Sequence, residues 1–328
     1  MKVLVPYPEE TVDVIRQIVG DAAEVVGSGS STEEMIAAGT DADIVASFRV
    51  PADYIRQATS LRMIQSLGAG IDRIERETIA ERGDVIVCNN HANAEEVAEY
   101  AIMLLFAAAK HIIIADREMR TGDWGMRWGG PLPNIEIRDK TCLIIGLGHI
   151  GSEIAKRLRA FNMTLYAATR SGTSEQASLV DRVLCIDDIE PSLREADFVI
   201  LSLPLTRDSA GLVNKDFLSM MKSTSIIVNI SRGAIVDESA LYEALKNKTI
   251  AAAGLDVWWD YPATWGGSGK LPSEKYPYHE LDNVVISPHR AAYSENIMRD
   301  QLQFVGENIL RFIQGEQPLN QVDMHRGY

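Results

Sequence analysis

The chain has 328 residues, of which 46% are hydrophobic and 24% are charged, so it can form two domains that each bury a core. Its formal net charge of −14 argues against a nucleic-acid partner and leaves any anion site to a few local arginines. The longest apolar stretch is interrupted by Lys110 and His111, so no membrane partner is expected. We expect Cys88, Cys142 and Cys185 to be buried free thiols and the protein to be cytoplasmic.

The first part of the chain alternates short β-rich segments with helical ones. The predicted strands are KVLVP, AEVVG, DIVAS, RMIQS and DVIVC. One of the helical segments begins with Ser31 and Glu34 at the spacing of a capping box. This alternation predicts a parallel sheet covered by helices.

A long helical pattern follows in AEEVAEYAIMLLFAAAKHIIIADREMR, and we expect one buried helix there. Asn93 precedes it and is spaced from Glu96 as an N-cap would be. The next segment, TGDWGMRWGGPLPNIEI, is rich in Gly, Trp and Pro and predicts an extended arm.

From Thr141 onwards the alternation predicts a second, doubly wound parallel sheet. Its predicted strands are TCLIIG, TLYAA, DFVILSLP, SIIVNIS, AAAGLDV and NVVISPH. The chain then forms one amphipathic helix, whose apolar face is Ile297, Leu302, Val305, Ile309 and Phe312. The predicted fold class is therefore α/β, with two doubly wound parallel-sheet domains.

The hexapeptide GLGHIG has the G-x-G-x-x-G pattern between a predicted strand and a predicted helix. Gly146 permits the tight turn, Gly148 lets the backbone approach a pyrophosphate, and Gly151 allows close helix packing. The N–H groups of His149 and Ile150 belong to the helix start, which favours phosphate. A glycine-rich turn without a ligand is the alternative interpretation.

Other candidate residues lie at predicted strand ends, where open α/β sheets bind ligands. Arg232 can bind a carboxylate through two hydrogen bonds, or form a structural ion pair. His289 can exchange a proton near neutral pH. The N–H groups of Gly68, Ala69 and Gly70 can hold an anion, although a plain turn is an equally good interpretation. The histidines lack metal-ligand spacing, so no metal is predicted.

Together these motifs resemble the D-isomer-specific 2-hydroxyacid dehydrogenase family over essentially the whole chain. The stretches that carry the resemblance are LGAGID, NAEEVAEYAIMLLFAAAK, TGDW, GLGHIG, LSLPLT, VNISRGAIVDESALYEAL, AGLDV and SPH. The resemblance implies a Rossmann nucleotide-binding domain, residues 94–289, inserted into a flavodoxin-like substrate domain, residues 1–93 and 290–328. It also implies a homodimer in which the arm embraces the second subunit.

The resemblance implies a role for each matching residue. Arg232 is expected to bind and polarise a 2-oxo acid, and His289 to protonate its carbonyl oxygen as hydride arrives. Asp256 is expected to touch the nicotinamide carboxamide, and Pro204 and Ile230 to line the cofactor.

On the substrate side, the resemblance assigns Gly68, Ala69 and Gly70 to the substrate carboxylate. Asn93 matches a substrate-side asparagine of the formate dehydrogenase branch, and helix capping is its alternative role.

The chain departs from the family pattern at one catalytic position. Most members carry a Glu five residues after the Asp of GLDV, paired with the histidine, whereas this chain has Tyr261 there, beside Asp260. A phenol can hydrogen-bond an imidazole but brings no charge at neutral pH. We expect Tyr261 or Asp260 to stand in for the glutamate.

The loop of residues 258–280 is long and contains Trp258, Trp259 and Trp265. It is predicted to be a lid over the site, with a packed surface loop as the alternative.

The segment LYAATRSG decides the expected cofactor. Thr169 stands where NAD-preferring relatives carry an Asp that binds the ribose and repels a 2′-phosphate. Arg170 can instead pair with that phosphate, and the hydroxyls of Thr169 and Ser171 can donate to it. We expect NADP, with NAD possible; an exposed arginine on an ordinary turn is the alternative.

The expected function is hydride transfer between NAD(P)H and a small 2-oxo acid such as glyoxylate or hydroxypyruvate. One alternative is oxidation of formate or phosphite, although the formate branch carries a glutamine at the position of Tyr261. A dinucleotide-sensing binding protein or corepressor is the alternative from another class.

Overall fold

The computed structural model describes residues 1–262, 267–324, 326 and 327. The chain divides into two compact units, the first of Met1–Asn93 and Ser294–Tyr328 and the second of Ala94–Tyr293. Each unit contains one parallel sheet accompanied by helices, which confirms the predicted α/β fold class.

The first unit has a five-stranded sheet of order β2-β1-β3-β4-β5, the flavodoxin-like arrangement. Its strands are β1 (Lys2–Val5), β2 (Glu24–Gly27), β3 (Ile44–Ala46), β4 (Met63–Gln65) and β5 (Ile86–Cys88). Its helices are α1 (Glu9–Val19), α2 (Thr32–Gly39), α3 (Ala52–Gln57), α4 (Arg76–Arg82) and α11 (Ile297–Ile313). The capping box of α2 is confirmed, because Ser31 Oγ accepts from the Glu34 N–H at 3.2 Å and Glu34 Oε2 accepts from the Ser31 N–H at 3.1 Å.

Helix α11 closes the core of the first unit, and its predicted apolar face is confirmed. Its buried residues include Ile297, Leu302, Val305 and Ile309, and Phe312 is half-buried against the same core. Gly306 lets the helix approach α1 closely, since a Cβ there would lie 2.7 Å from Ile18 Cγ2.

The second unit has a sheet of order β12-β11-β10-β9-β6-β7-β8. Its strands are β6 (Thr141–Ile145), β7 (Thr164–Thr169), β8 (Arg182–Cys185), β9 (Phe198–Leu201), β10 (Ile226–Asn229), β11 (Ala252–Leu255) and β12 (Val284–Ile286). Its helices are α5 (Ala94–Ala109), α6 (Ile112–Arg120), α7 (His149–Leu158), α8 (Glu190–Glu195), α9 (Lys215–Met220) and α10 (Glu238–Lys246). The prediction of six strands was wrong, because it did not include β8, a short edge strand whose residues are exposed or only half-buried.

Both faces of this second sheet are buried. Along β6, Cys142 and Ile144 belong to one apolar cluster, whereas Leu143 and Ile145 belong to another on the opposite face. The order reverses beside β6, where the chain winds first toward β7 and β8 and later toward β9. Such a reversal point is where doubly wound sheets bind their ligands.

The prediction of one long helix after Asn93 was wrong. Helices α5 and α6 meet at an angle of 64°, because His111 adopts the left-handed conformation with φ of 51°. Lys110 stabilises the break, since its Nζ donates to the Ile135 carbonyl at 2.6 Å. No single helix within the described part of the chain is long and apolar enough to cross a membrane; only the bent α5–α6 pair passes that test, by length and composition alone.

Candidate nucleotide-binding and active site

The glycine loop after β6 has the backbone that a dinucleotide site needs. Gly146 has φ of 98°, and a Cβ there would lie 2.5 Å from the Ser202 carbonyl oxygen. A Cβ on Gly151 would collide with the Gly146 carbonyl oxygen, so both positions require glycine. By contrast, a Cβ on Gly148 would point into open space, where the backbone can approach a pyrophosphate.

Helix α7 presents an uncapped N-terminus beside this loop. Gly148 occupies the N-cap position in an extended conformation, and no side chain caps the helix. The N–H groups of the first turn, which begins with His149, Ile150 and Gly151, are therefore oriented to bind phosphate. Burial lowers the pKa of His149, which favours the neutral imidazole at the positive end of the helix.

Ser202 holds the glycine loop in place and was missed by sequence reasoning. It follows β9, the neighbour of β6, and its Oγ donates to the Gly146 carbonyl at 2.7 Å. Its position in LSLPLT, near the end of the predicted strand DFVILSLP, was the available signal. Pro204, two residues further, is exposed and its carbonyl accepts from Ser209 Oγ at 2.7 Å.

The proposed ribose end of the site lies at the end of β7. Thr169 Oγ1 donates to the Thr173 carbonyl at 3.0 Å, and Ser171 Oγ lies 3.0 Å from Thr173 Oγ1. Both hydroxyls thus contribute to their own turn, and their role toward a phosphate stays a prediction. Arg170 is exposed at the tip, and its carbonyl accepts from Cys185 Sγ at 3.2 Å.

The cysteine prediction holds for two of the three residues. Cys88 and Cys142 are buried, and burial raises the pKa of Cys88 to about 12 and that of Cys142 further. Cys185 is only half-buried, since edge strand β8 has no neighbour on its outer side.

Arg232 lies in a tightly bonded segment after β10. Asn229 Nδ2 donates to the Arg232 carbonyl at 3.0 Å, and Ser231 Oγ donates to the Leu201 carbonyl at 2.8 Å. The guanidinium is half-buried and its Nη1 donates to the Ser231 carbonyl at 2.8 Å. Ile230, predicted to line the cofactor, is buried within this segment.

Asp256 clamps the turn that carries His289. The fully buried carboxylate follows β11 and accepts from Ser287 Oγ at 2.6 Å, from the Arg290 N–H at 2.9 Å and from the Ala291 N–H at 2.8 Å. These donors flank His289, which is exposed and has φ of 54°. A carboxylate has about four acceptor positions, so these three bonds use most of its capacity.

Tyr100 on α5 extends the same network and was not identified from the sequence. Its Oη lies 2.7 Å from Ser287 Oγ. Because the Ser287 hydroxyl donates to Asp256, Tyr100 is the donor to Ser287. Nothing in the sequence pattern connects two residues so distant along the chain.

Tyr261 is the residue found beside the candidate acid. Its ring centroid lies 5.4 Å from that of His289, and its Oη accepts from the Trp258 N–H at 3.2 Å. Asp260 is exposed. The described geometry therefore favours Tyr261 over Asp260 as the neighbour of the imidazole.

The start of the 258–280 loop is packed rather than lid-like. Trp258 Nε1 donates to the Ser287 carbonyl at 2.8 Å, and Trp259 Nε1 donates to the Val236 carbonyl at 2.7 Å. Trp259 also stacks on Tyr278 with centroids 5.6 Å apart. For these two tryptophans the lid hypothesis is wrong, while Trp265 lies outside the described residues.

A family model described as D-isomer specific 2-hydroxyacid dehydrogenase, NAD binding domain, matches residues 102–291 of the chain. The chain belongs to this family. It is 36% identical, over 99% of its own length, to a D-3-phosphoglycerate dehydrogenase of Archaeoglobus fulgidus, of which it spans only 59%. It is 35% identical, over 82% of its length, to a glyoxylate reductase of Pyrococcus horikoshii, of which it spans 78%.

Solved structures agree with this assignment. The NADPH-dependent glyoxylate/hydroxypyruvate reductase of Sinorhizobium meliloti, in complex with NADP and malonate, matches with a TM-score of 0.79 and 27% identity. The match covers 99% of this chain and 97% of that one. The chain thus has the Rossmann NAD-binding domain of the D-isomer-specific 2-hydroxyacid dehydrogenase family.

The glycine loop of the first unit, Gly68 to Gly70, follows β4. The Gly68 N–H donates to Ser66 Oγ at 3.3 Å, and Asn89 Nδ2 donates to the Ala69 carbonyl at 3.1 Å. Gly68 is therefore committed to the loop itself, which leaves Ala69 and Gly70, both half-buried, as the better candidates for binding an anion.

Asn93 does not cap α5 as the spacing predicted. Its Oδ1 is buried and has no hydrogen-bond partner among the residues that the structure describes. A capping side chain would accept from an N–H of the first turn. Across those same residues, no group of three or more His, Cys, Asp or Glu side chains could hold a metal ion.

Proposed function

We propose that this dehydrogenase reduces small 2-oxo acids, such as glyoxylate or hydroxypyruvate, with NADPH as the preferred cofactor and NADH as the alternative. The observation that carries the proposal is that Arg232, Asp256 and His289 follow β10, β11 and β12, which are adjacent in one parallel sheet. Carboxyl ends of adjacent parallel strands share one edge, which is the ligand-binding edge of this fold.

The proposed chemistry divides between the cofactor and the side chains. The nicotinamide supplies the hydride when it is bound. Arg232 binds the substrate carboxylate and polarises the carbonyl, since its planar guanidinium can donate two parallel hydrogen bonds. His289 donates the proton that the carbonyl oxygen gains, and Tyr261 orients the imidazole.

The remaining assignments follow the family resemblance. Ala69 and Gly70, with Gly68 shaping their loop, are proposed to bind the substrate carboxylate, and Asn93 to contact the substrate. We assign nucleotide binding to residues 94–289 and the substrate-binding role to residues 1–93 and 290–328. The cytoplasmic location stays a prediction from the sequence.

The preference for NADPH rests on the segment after β7. It lacks the ribose-binding carboxylate and exposes Arg170 at the carboxyl edge of the sheet. The Sinorhizobium reductase, which is NADPH-dependent, and the Pyrococcus glyoxylate reductase support the cofactor and the substrate class respectively.

We also propose a homodimer formed through the arm and α6. Several large apolar side chains are exposed there, namely Ile112, Ile113, Met119, Trp124, Trp128 and Leu132. Trp128 is 100% exposed in the single chain. Several exposed large apolar side chains in one segment of the chain are typical of an interaction site.

Turnover with a substrate panel tests the proposal. The purified protein is assayed with NADPH and glyoxylate, hydroxypyruvate and pyruvate, and in the other direction with NADP⁺ and formate or phosphite. Reduction of the 2-oxo acids with no oxidation of formate or phosphite is expected. If the protein binds NADPH but turns over none of them, a dinucleotide-sensing protein is the better hypothesis.

A further inference from the structure

A carboxyl oxygen in the first turn of α5 is buried without a donor. Glu96 Oε2 has no hydrogen-bond partner within the described residues. Burial of an unpaired acceptor is unfavourable, particularly for a charged group. Such an atom in a ligand-binding region indicates that a bound molecule supplies the donor.

The course of α5 across the sheet locates Glu96 relative to the candidate active site. Leu104 packs against the interior of strand β11, because a Cβ on Gly254 of that strand would lie 3.3 Å from the Leu104 carbonyl oxygen. One turn earlier, Tyr100 contacts Ser287, which directly follows β12. The helix therefore runs antiparallel to the strands, and its N-terminus extends beyond their carboxyl ends.

Glu96 lies one further turn along this course, on the same face as Tyr100. It is thus placed beyond the strand ends, on the side where Asp256 and His289 lie. The neighbouring acids Glu95 and Glu99 differ from Glu96 in having a hydrogen-bond donor. Both accept hydrogen bonds from Arg157, at 3.2 and 3.4 Å.

The chemistry of the proposed substrate restricts what can face this oxygen. The carboxylate and carbonyl of a 2-oxo acid contain only acceptors, and Arg232 is proposed to donate to them. A carboxylate such as Glu96 also only accepts, so it repels these groups. Within the substrate, only the substituent on the 2-oxo acid can therefore supply a donor to Glu96.

We propose that Glu96 is a specificity-determining residue that accepts a hydrogen bond from a hydroxyl on C3 of the substrate. This inference rests on the proposed function and selects hydroxypyruvate over pyruvate, which has a methyl group in place of the CH₂OH. Sites that hydrogen-bond a substrate hydroxyl discriminate strongly against the analogue that lacks it, because their own polar group is then left unpaired.

The experiment compares the ratio of kcat/KM for hydroxypyruvate over pyruvate in the native enzyme, Glu96→Gln, Glu96→Ala and the matched control Glu95→Gln. We expect a ratio of at least about 10 in the native enzyme and in Glu95→Gln. The ratio should fall by about tenfold or more in Glu96→Ala and by less in Glu96→Gln, which keeps one acceptor. Glu96→Gln should leave the melting temperature within a few degrees of the native value, because Oε2 has no partner to lose.

A binding measurement separates this inference from the proposed function. D-Glycerate and D-lactate, the reduced forms of the two acids, are added with NADP⁺, and the rise in melting temperature is recorded. Stronger stabilisation by D-glycerate that is lost in Glu96→Ala supports the role of Glu96 even if turnover fails. The role of Glu96 would be overturned if both acids stabilised the native enzyme equally. It would also be overturned if Glu96→Ala weakened NADPH binding and left the ratio of kcat/KM for the two substrates unchanged.

Discussion

Tyr261 and His289 lie ring against ring, with centroids 5.4 Å apart and planes inclined at 45°. The phenol is held in this position because its Oη accepts from the Trp258 N–H. Family members usually place a glutamate in this part of the sequence, so the imidazole here has a neutral neighbour in place of a charged one.

This neighbour should determine the pH dependence of turnover. Reduction requires protonated His289, so kcat/KM falls as pH rises through the pKa of that imidazole. Tyr261→Glu adds a negative charge, which favours the imidazolium and raises its pKa, so the falling limb should move to higher pH by about one unit. Tyr261→Phe should lower kcat without that upward shift. Identical pH profiles for all three proteins would mean that Tyr261 does not act on His289.

Replacement of His289 should affect chemistry more than cofactor binding. We expect His289→Asn, which tolerates the positive φ, to lower kcat by about two orders of magnitude, the scale of general acid catalysis. The dissociation constant of NADPH, measured by fluorescence, should remain within a few fold of the native value. His279→Asn is the matched control and should retain native turnover. Full activity in His289→Asn would remove this residue from the mechanism.

The sheets were predictable because each interior strand is an apolar run between turn residues. The glycine loop was predictable too, since Gly146 and Gly151 occupy positions where any side chain would collide with backbone. Strand β8 was missed because it has only four residues and lies at an edge, where its apolar side chains are only half-buried. The break before α6 was missed because a left-handed histidine such as His111 leaves no compositional signal.

The polar network of the site was less accessible to sequence reasoning. Arg232 and His289 were identified because each lies shortly after a predicted strand, and Asp256 was identified through the family resemblance. Ser202 and Tyr100 were not, because their partners are separated from them along the chain and meet them only through tertiary packing. The hydrogen bonds that the hydroxyls of Thr169 and Ser171 form within their own turn were also not predictable, because residue type alone does not reveal them.

His149 should make stability depend on pH. Burial lowers its pKa below the ordinary value of 6.5, so at mildly acidic pH the folded state binds fewer protons than the unfolded state. The contribution of the neutral imidazole is present above the unfolded pKa and is lost as pH falls below it. The melting temperature of the native protein should therefore drop more between pH 7.5 and 5.5 than that of His149→Gln. Parallel curves for the two proteins would contradict this.

The dimer should depend on the exposed apolar residues of α6 and the arm. We expect light scattering to give twice the monomer mass for the native protein at micromolar concentration. The double variant Ile113→Asp and Trp128→Ser should shift it toward the monomer, because charge at a buried apolar interface is unfavourable. Leu319→Asp, at another exposed leucine, is the matched control and should leave the mass unchanged. A native monomer would contradict the proposed assembly.

Arg170 should set the cofactor preference. Its guanidinium can form charge-assisted hydrogen bonds with a 2′-phosphate, and no carboxylate at position 169 opposes that phosphate. We expect kcat/KM for NADPH to exceed that for NADH by about tenfold or more, and Arg170→Ala to lower this ratio by a similar factor. Thr169→Asp should invert the preference, since it introduces the repulsion used by NAD-preferring relatives. Arg182→Ala is the matched control and should leave the ratio unchanged. Arg182 stacks on Tyr166 at the start of β8, three residues from the carboxyl end of that strand. A native ratio below one, or a ratio unmoved by Arg170→Ala, would show that Arg170 does not bind the cofactor phosphate.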